Sequence, residues 1–95
     1  MKMKRYVVLT TAHRGVFFGE VVEYDLTNKI AKLVNARMVI YWSVQTRGVL
    51  GLAAIGPQKG SKVTPFIPAI ELTDVVSVMD CTPVAVAVWM EEEIW

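Results

Sequence analysis

The chain predicts a small α+β domain rich in β structure: a curved antiparallel sheet or partial barrel with one short internal helix and one C-terminal helix. Three observations carry this. Segments dense in Val, Tyr, Phe and Thr recur, several with strict two-residue alternation. Short clusters of Gly, Asn, Asp and Pro separate them. The hydrophobic period lengthens to three-and-four at Thr46–Ile55, and Thr82-Pro83 opens a second helical segment. A length of 95 residues suits a single domain, 1-95, near the lower end for a self-sufficient core.

Lys4 to Thr11 reads as a first strand and Ala12 to Gly15 as its turn. Val16 to Tyr24 follows, with Val16, Phe18 and Val22 on one face and Phe17 and Val21 on the other. A strand apolar on both faces is covered on both sides or lies at an interface. Gly19 in its middle predicts a bulge or a close backbone contact. Asp25-Leu26-Thr27-Asn28 is turn chemistry, Lys29 to Val34 a short strand, and Asn35-Ala36 a tight connection or bulge. Arg37 to Ser43 is a further strand. With Met38 and Trp42 turned inward, Arg37 and Tyr41 share its outer face.

In the internal helix Val49, Leu50, Ala53 and Ala54 form the apolar stripe, Thr46 is the N-cap and Gly56-Pro57 the stop. Gly48 and Gly51 weaken it but admit a close neighbour. Gly56 to Pro68 is a loop holding a short strand around Lys62-Val63-Thr64, and Pro65 and Pro68 exclude a central strand there. Ile70 to Asp80 alternates as one strand, with Ile70, Leu72, Val76 and Val78 inward. Thr82 caps the last helix, Pro83 takes its first position, and Val84, Ala87 and Val88 face the core. The alternation of Val84, Val86 and Val88 also fits a strand.

Charge is unevenly spread. The net charge is +1, yet no Asp or Glu occurs between Asp25 and Glu71, a stretch holding Lys29, Lys32, Arg37, Arg47, Lys59 and Lys62. A positive middle favours an anionic partner. An aromatic beside a guanidinium, as in Arg37 and Tyr41, can stack a base while the charge meets phosphate. The competing reading has Trp42 in the core with Arg37 lying over it. The helix start at Thr46-Arg47-Gly48 is either an anion site or an ordinary capped end. Gly56-Pro57-Gln58-Lys59-Gly60-Ser61-Lys62 reads as a mobile basic loop. It is not a Walker A sequence, because Ser61 precedes Lys62.

A catalytic constellation is not evident. His13 beside Arg14 is the sole histidine and Cys81 the sole cysteine, so neither a zinc site nor an internal disulfide is expected. There is no Gly-x-Ser-x-Gly elbow, and Glu20 and Glu23 fall on opposite strand faces. No enzyme activity, metal or cofactor is expected. A hydrophobic fraction of 54% against 20% charged residues suggests apolar surface awaiting a second copy of the chain. Trp89, Ile94 and Trp95 either dock on that neighbour or pack back on their own sheet. Every apolar run is too short to span a bilayer, and Thr10, Thr11, His13 and Arg14 end the N-terminal one too soon for a signal peptide. Cytoplasm is the expected compartment, with no membrane partner.

The segments His13 to Glu20, Asn35-Ala36-Arg37-Met38-Val39-Ile40-Tyr41-Trp42-Ser43 and Thr46 to Ala53 together resemble a group of short uncharacterised proteins of tailed bacteriophages and prophages. The resemblance spans most of the chain and is most specific at Asn35 to Ser43. It implies a phage origin and a host-cytoplasmic setting, and it brings no established activity.

Two readings follow. The first is a non-enzymatic, homo-oligomeric binding protein. It holds an anionic ligand, such as a nucleotide or nucleic-acid phosphate, with Arg14, Arg37, Tyr41, Arg47, Lys59 and Lys62, and by analogy counteracts a host defence. The second is a structural or protein-interaction module working through its apolar surface and C-terminal tryptophans, with a host protein as one partner.

Overall fold

The computed structural model describes residues 4–12 and 15–91. Among them the order is β1 (Tyr6–Thr11), β2 (Val16–Asp25), β3 (Ile30–Tyr41), a single 3-10 turn (Val44–Thr46), α1 (Gly48–Ala54), β4 (Lys62–Val63), β5 (Ile67–Leu72), β6 (Val75–Asp80) and α2 (Pro83–Glu91). All strand pairs are antiparallel. The strand order is β4-β3-β2-β1-β6, with β5 also beside β3. This is the curved α+β sheet with one internal and one C-terminal helix that the sequence predicts. No helix among the described residues is long and apolar enough to cross a membrane.

Two expected boundaries move. The segments on either side of Asn35-Ala36 are one continuous strand, β3. Conversely, Ile70 to Asp80 is not one strand: β5 ends at Leu72, and Asp74 turns the chain with a φ of 55°. Because β5 and β6 lie at opposite edges of the sheet yet only Thr73 and Asp74 separate them, the sheet must curl. Backbone hydrogen bonds hold the curl at this end, from Ala12 N–H to the Asp74 carbonyl (2.9 Å) and from Val75 N–H to the Lys29 carbonyl (3.0 Å). Pro68 is tolerated because β5 pairs only with β3 and leaves its other edge unladdered.

The decisive irregularity is in β3. Phe18 pairs with Arg37 and Glu20 with Val34, so Gly19 alone opposes both Asn35 and Ala36. Asn35 has a φ of 48°, a conformation that Asn accepts more readily than most residues. Gly19 makes room for the bulge: a Cβ there would lie 3.1 Å from Leu33 Cβ and 3.3 Å from Ala36 Cα. An extra residue shifts the inside–outside alternation by one. Before the bulge Ala31 and Leu33 point into the curl; beyond it Arg37 and Val39 are buried on the opposite, helix-covered face.

Each sheet face thus has its own core. Within the curl lie Val7, Leu9, Ala31, Leu33, Ala36, Leu72 and Val75, with Phe17 and Val21 packed against them. Under the helices lie Val8, Val16, Phe18, Val39, Leu52, Val63, Ala85 and Trp89. The two-sided apolar character of β2 has this cause. Trp89 is fully buried, stacks on Phe18 at a centroid distance of 4.8 Å, and donates its indole N–H to the Leu52 carbonyl at 2.9 Å. It is therefore a core anchor of its own chain and not the expected interface residue. Ile94 and Trp95, named with it, lie outside the described residues. The buried positions of α2 are Ala85 and Trp89, while Val84 is exposed, so its inward face is rotated from the expected one.

Thr82 joins the two helices. Its N–H reaches the Ala53 carbonyl (3.0 Å). Its hydroxyl donates to the Ala54 carbonyl at the end of α1 (2.7 Å) and accepts the Ala85 N–H at the start of α2 (3.0 Å). One side chain satisfies orphan groups of both helix ends. Gly56, with a φ of 81°, lets the chain leave α1 against Val88: a Cβ there would sit 2.7 Å from Val88 Cβ.

Arg37 is 2% exposed. Its Nη1 donates to the Trp89 carbonyl at 2.7 Å and its Nε to the Thr64 carbonyl at 2.8 Å, with the guanidinium 4.4 Å above the Phe66 ring. The cation lies at the C-terminal end of α2, where the helix dipole favours it. This corrects the expectation that Arg37 shares an outer face with Tyr41 as a ligand-binding residue. The bulge turns it inward, and its donors serve the fold.

Replacing Thr82 by Ala is expected to cost about 1–2 kcal/mol, read as a lower thermal midpoint by circular dichroism, while Thr82→Ser keeps most of the stability. Arg37→Met strands two carbonyls and should lower stability by about 2–4 kcal/mol in urea unfolding. An unchanged midpoint for Arg37→Met would contradict the structural role given to this residue.

Candidate functional site

Past its bulge β3 leaves β5 and pairs with β4, where Tyr41 lies opposite Lys62 and Val39 opposite Val63. Directly opposed residues project to the same side of a sheet. Val63 is buried and Tyr41 is 53% exposed, so this pair of strands ends in a solvent-facing phenol beside an exposed lysine. Ile40, Tyr41 and Trp42 border a shallow hollow of about 280 Å³.

The loop before β4 is held by hydroxyls. Ser43 N–H donates to Ser61 Oγ (3.0 Å) and Gln58 N–H to Thr46 Oγ1 (3.0 Å). The Thr46 and Ser61 hydroxyls are 3.3 Å apart. Gln58 Nε2 donates to the carbonyls of Ile55 and Gly56. The segment expected to be a mobile basic loop is thus tied to the 3-10 turn, with Lys59 exposed upon it. Thr46 is correspondingly not the N-cap of α1. It is fully buried, and Arg47 holds the cap position in a left-handed conformation (φ 68°, ψ 38°) with no side-chain cap bond. Arg47 is exposed at the start of a helix only seven residues long.

Of the residues expected to bind a ligand, the structure sets Tyr41 and Lys62 side by side, and Lys59 is exposed on the tied loop three residues before Lys62. It withdraws Arg37 into the core. Arg14 lies outside the described residues.

Sequence reasoning missed the opposite end of β3. There a hollow of about 430 Å³ is lined by Glu23, Tyr24, Asp25, Ile30, Ala31, Lys32 and Glu71. Lys32 is paired in register with Glu23 on one side and Glu71 on the other. Asp25 accepts hydrogen bonds from the Asn28 side chain and backbone N–H, which hold its carboxyl below the ordinary value. The available signal was that Asp25 and Glu71 bound the acid-free stretch. Only strand register shows that they meet. At about 3.3 Å per residue, β3 separates this acidic end from Tyr41 by most of the molecule's 35 Å length.

Cys81 is half-buried beside the helix-side core. Burial pushes its thiol up to about 12, and the neighbouring Asp80 charge adds to this. Because the folded value lies above the unfolded one, the thiol favours the fold below about pH 9 and opposes it as pH rises toward about 12. Alkylation by iodoacetamide at pH 8 should be much slower for the native chain than in urea. Equal rates would show that this environment is wrongly assigned.

No curated protein and no solved structure matches this chain. One family model does, and it covers residues 4–89, which takes in both cores, Thr82, Arg37 and the Tyr41–Lys62 pair. The chain therefore belongs to the family described as a domain of unknown function, DUF6948.

Proposed function

We propose that the chain is a non-enzymatic binding protein that holds an anionic ligand, a nucleotide or a nucleic-acid phosphate, at the Tyr41–Lys62 end of its sheet. The observation that supports this most directly is the in-register pairing of an exposed Tyr and an exposed Lys on β3 and β4. Tyr41 offers a π-face for a base, worth about 1–3 kcal/mol for a stacked base. Lys62 and Lys59 offer ammonium groups for phosphate. The hydroxyl ties from Ser43 and Thr46 to the Gln58–Ser61 loop fix the backbone that carries Lys59 and leads to Lys62, which reduces the ordering cost of binding. Between Asp25 and Glu71 no carboxylate interrupts this part of the chain, and the acidic hollow lies at the other end of β3. Arg47 is not required for this grip.

The resemblance to phage and prophage proteins gives the reading a biological use: sequestering a nucleotide immune signal in the host cytoplasm. Isothermal titration against cyclic and linear nucleotides and short oligonucleotides tests the binding itself. Binding is expected with at least one of these classes, weakening as salt rises. Tyr41→Ala and Lys62→Glu should each weaken it roughly tenfold or more. Absence of heat with every member of the panel would overturn the proposal.

A further inference from the structure

The outer face of α2 is unusual for a surface. Within Pro83–Glu91 the buried positions are Ala85 and Trp89. At about 3.6 residues per turn, the opposite side of the helix carries Pro83, Val84, Ala87, Met90 and Glu91, and all five are exposed. Val84 is 63% exposed and Met90 40%. The stripe is therefore apolar for about two turns and ends on an acid. The sequence continues Glu92-Glu93, which lie outside the described residues, and its last Lys or Arg is Lys62. The helix dipole disfavours acids at a C-terminal end. Arg37 meets this end from the buried side, at the Trp89 carbonyl. Glu91 is exposed on the outer side, and among the described residues no ion pair reaches it. An exposed apolar stripe that ends in acids set against the local dipole marks a contact surface.

We infer that this stripe docks a basic amphipathic helix of another protein. Charge complementarity selects the occupant. Glu91, Glu92 and Glu93 repel nucleic acid and anionic lipid surfaces. A second copy laying α2 against α2 brings those acids no cation, because α2 contains none. A foreign helix with an apolar stripe packs on Val84, Ala87 and Met90. Ala87 lies at the centre of the exposed side, between the larger Val84 and Met90, and its small side chain lets the two axes approach closely. Lys or Arg at one end of that helix then meets the acids and offsets the cost of placing them at the end of α2. Nothing in this contact uses Tyr41, Lys59 or Lys62. The inference therefore does not rest on the anionic-ligand reading, and either can fail without the other.

Fluorescence anisotropy tests it, with the full chain titrated into a labelled amphipathic Leu–Lys peptide about 15 residues long. Two control peptides have the same length: one with Glu for every Lys, and one of the same composition in an order that leaves no apolar stripe. The Leu–Lys helix is expected to bind at least roughly tenfold more tightly than either control. Val84→Asp and Met90→Asp change exposed positions, so they should leave the circular dichroism spectrum unchanged while weakening binding roughly tenfold or more. The combined exchange Glu91→Lys, Glu92→Lys and Glu93→Lys should move the preference to the Glu-bearing peptide. Absence of binding, equal binding of the reordered peptide, indifference to Val84→Asp, or a preference that the triple exchange leaves in place would overturn the inference. So would a dimer in sedimentation equilibrium, or association with anionic lipid vesicles, that Val84→Asp abolishes, since the stripe would then belong to a second copy or to a membrane. Tyr41→Ala should bind the peptide as the parent chain does, which separates this contact from the ligand site.

Discussion

Asn35 turns the backbone with a φ of 48° in the middle of β3, opposite Gly19, and the organisation of the molecule descends from that extra residue. Without it β3 would keep one parity, and Arg37, Val39 and Ala36 would each face the other way. With it, the first half of β3 lines a curled β interior against β5, and the second half turns its buried side to the helices and pairs with β4. A bulge costs ladder hydrogen bonds but sharpens local twist. Here it lets one strand serve two cores and carries Tyr41 to a free end.

The same shift places a cation in the helix-side core, where magnitudes matter. Removing a guanidinium from water costs several kcal/mol. Hydrogen bonds from a charged donor return about 1.5–3 kcal/mol each, and the Phe66 ring adds up to about 2 kcal/mol. The terms nearly offset. The value of Arg37 is consequently geometric more than energetic: it fixes the end of α2, at Trp89, to the Thr64 strand end. With Thr82 fixing the start of α2 to α1, the helix is held at both termini. Its nearly uniform apolar sequence gives little periodicity to orient it, so the caps and the Trp89 anchor set its rotation.

Charge follows the strand. Glu23, Asp25 and Glu71 gather around Lys32 at one end of β3, and Tyr41 pairs with Lys62 at the other. A nearly neutral chain thereby becomes polar along β3, and a modest local field arises where the total charge would predict none.

Local chemistry alone determined much of this protein. Gly19 and Asn35-Ala36 marked the bulge, Thr82-Pro83 the second helix, Gly56 the end of the first, and alternating Val, Phe and Tyr the strands. These are short-range effects of φ preference, capping and side-chain period. Local pattern also made the basic middle visible. It did not reveal that Arg37 turns inward, that Trp89 closes its own core, that Thr46 pins a loop instead of capping α1, or that acids from two strands, β2 and β5, share a hollow. Each of those depends on which segments meet and which face a neighbour covers, and for the strand residues a shift of one in the ladder reverses the face. Tertiary pairing decided them, because burial and hydrogen-bond satisfaction are settled between segments distant in the chain.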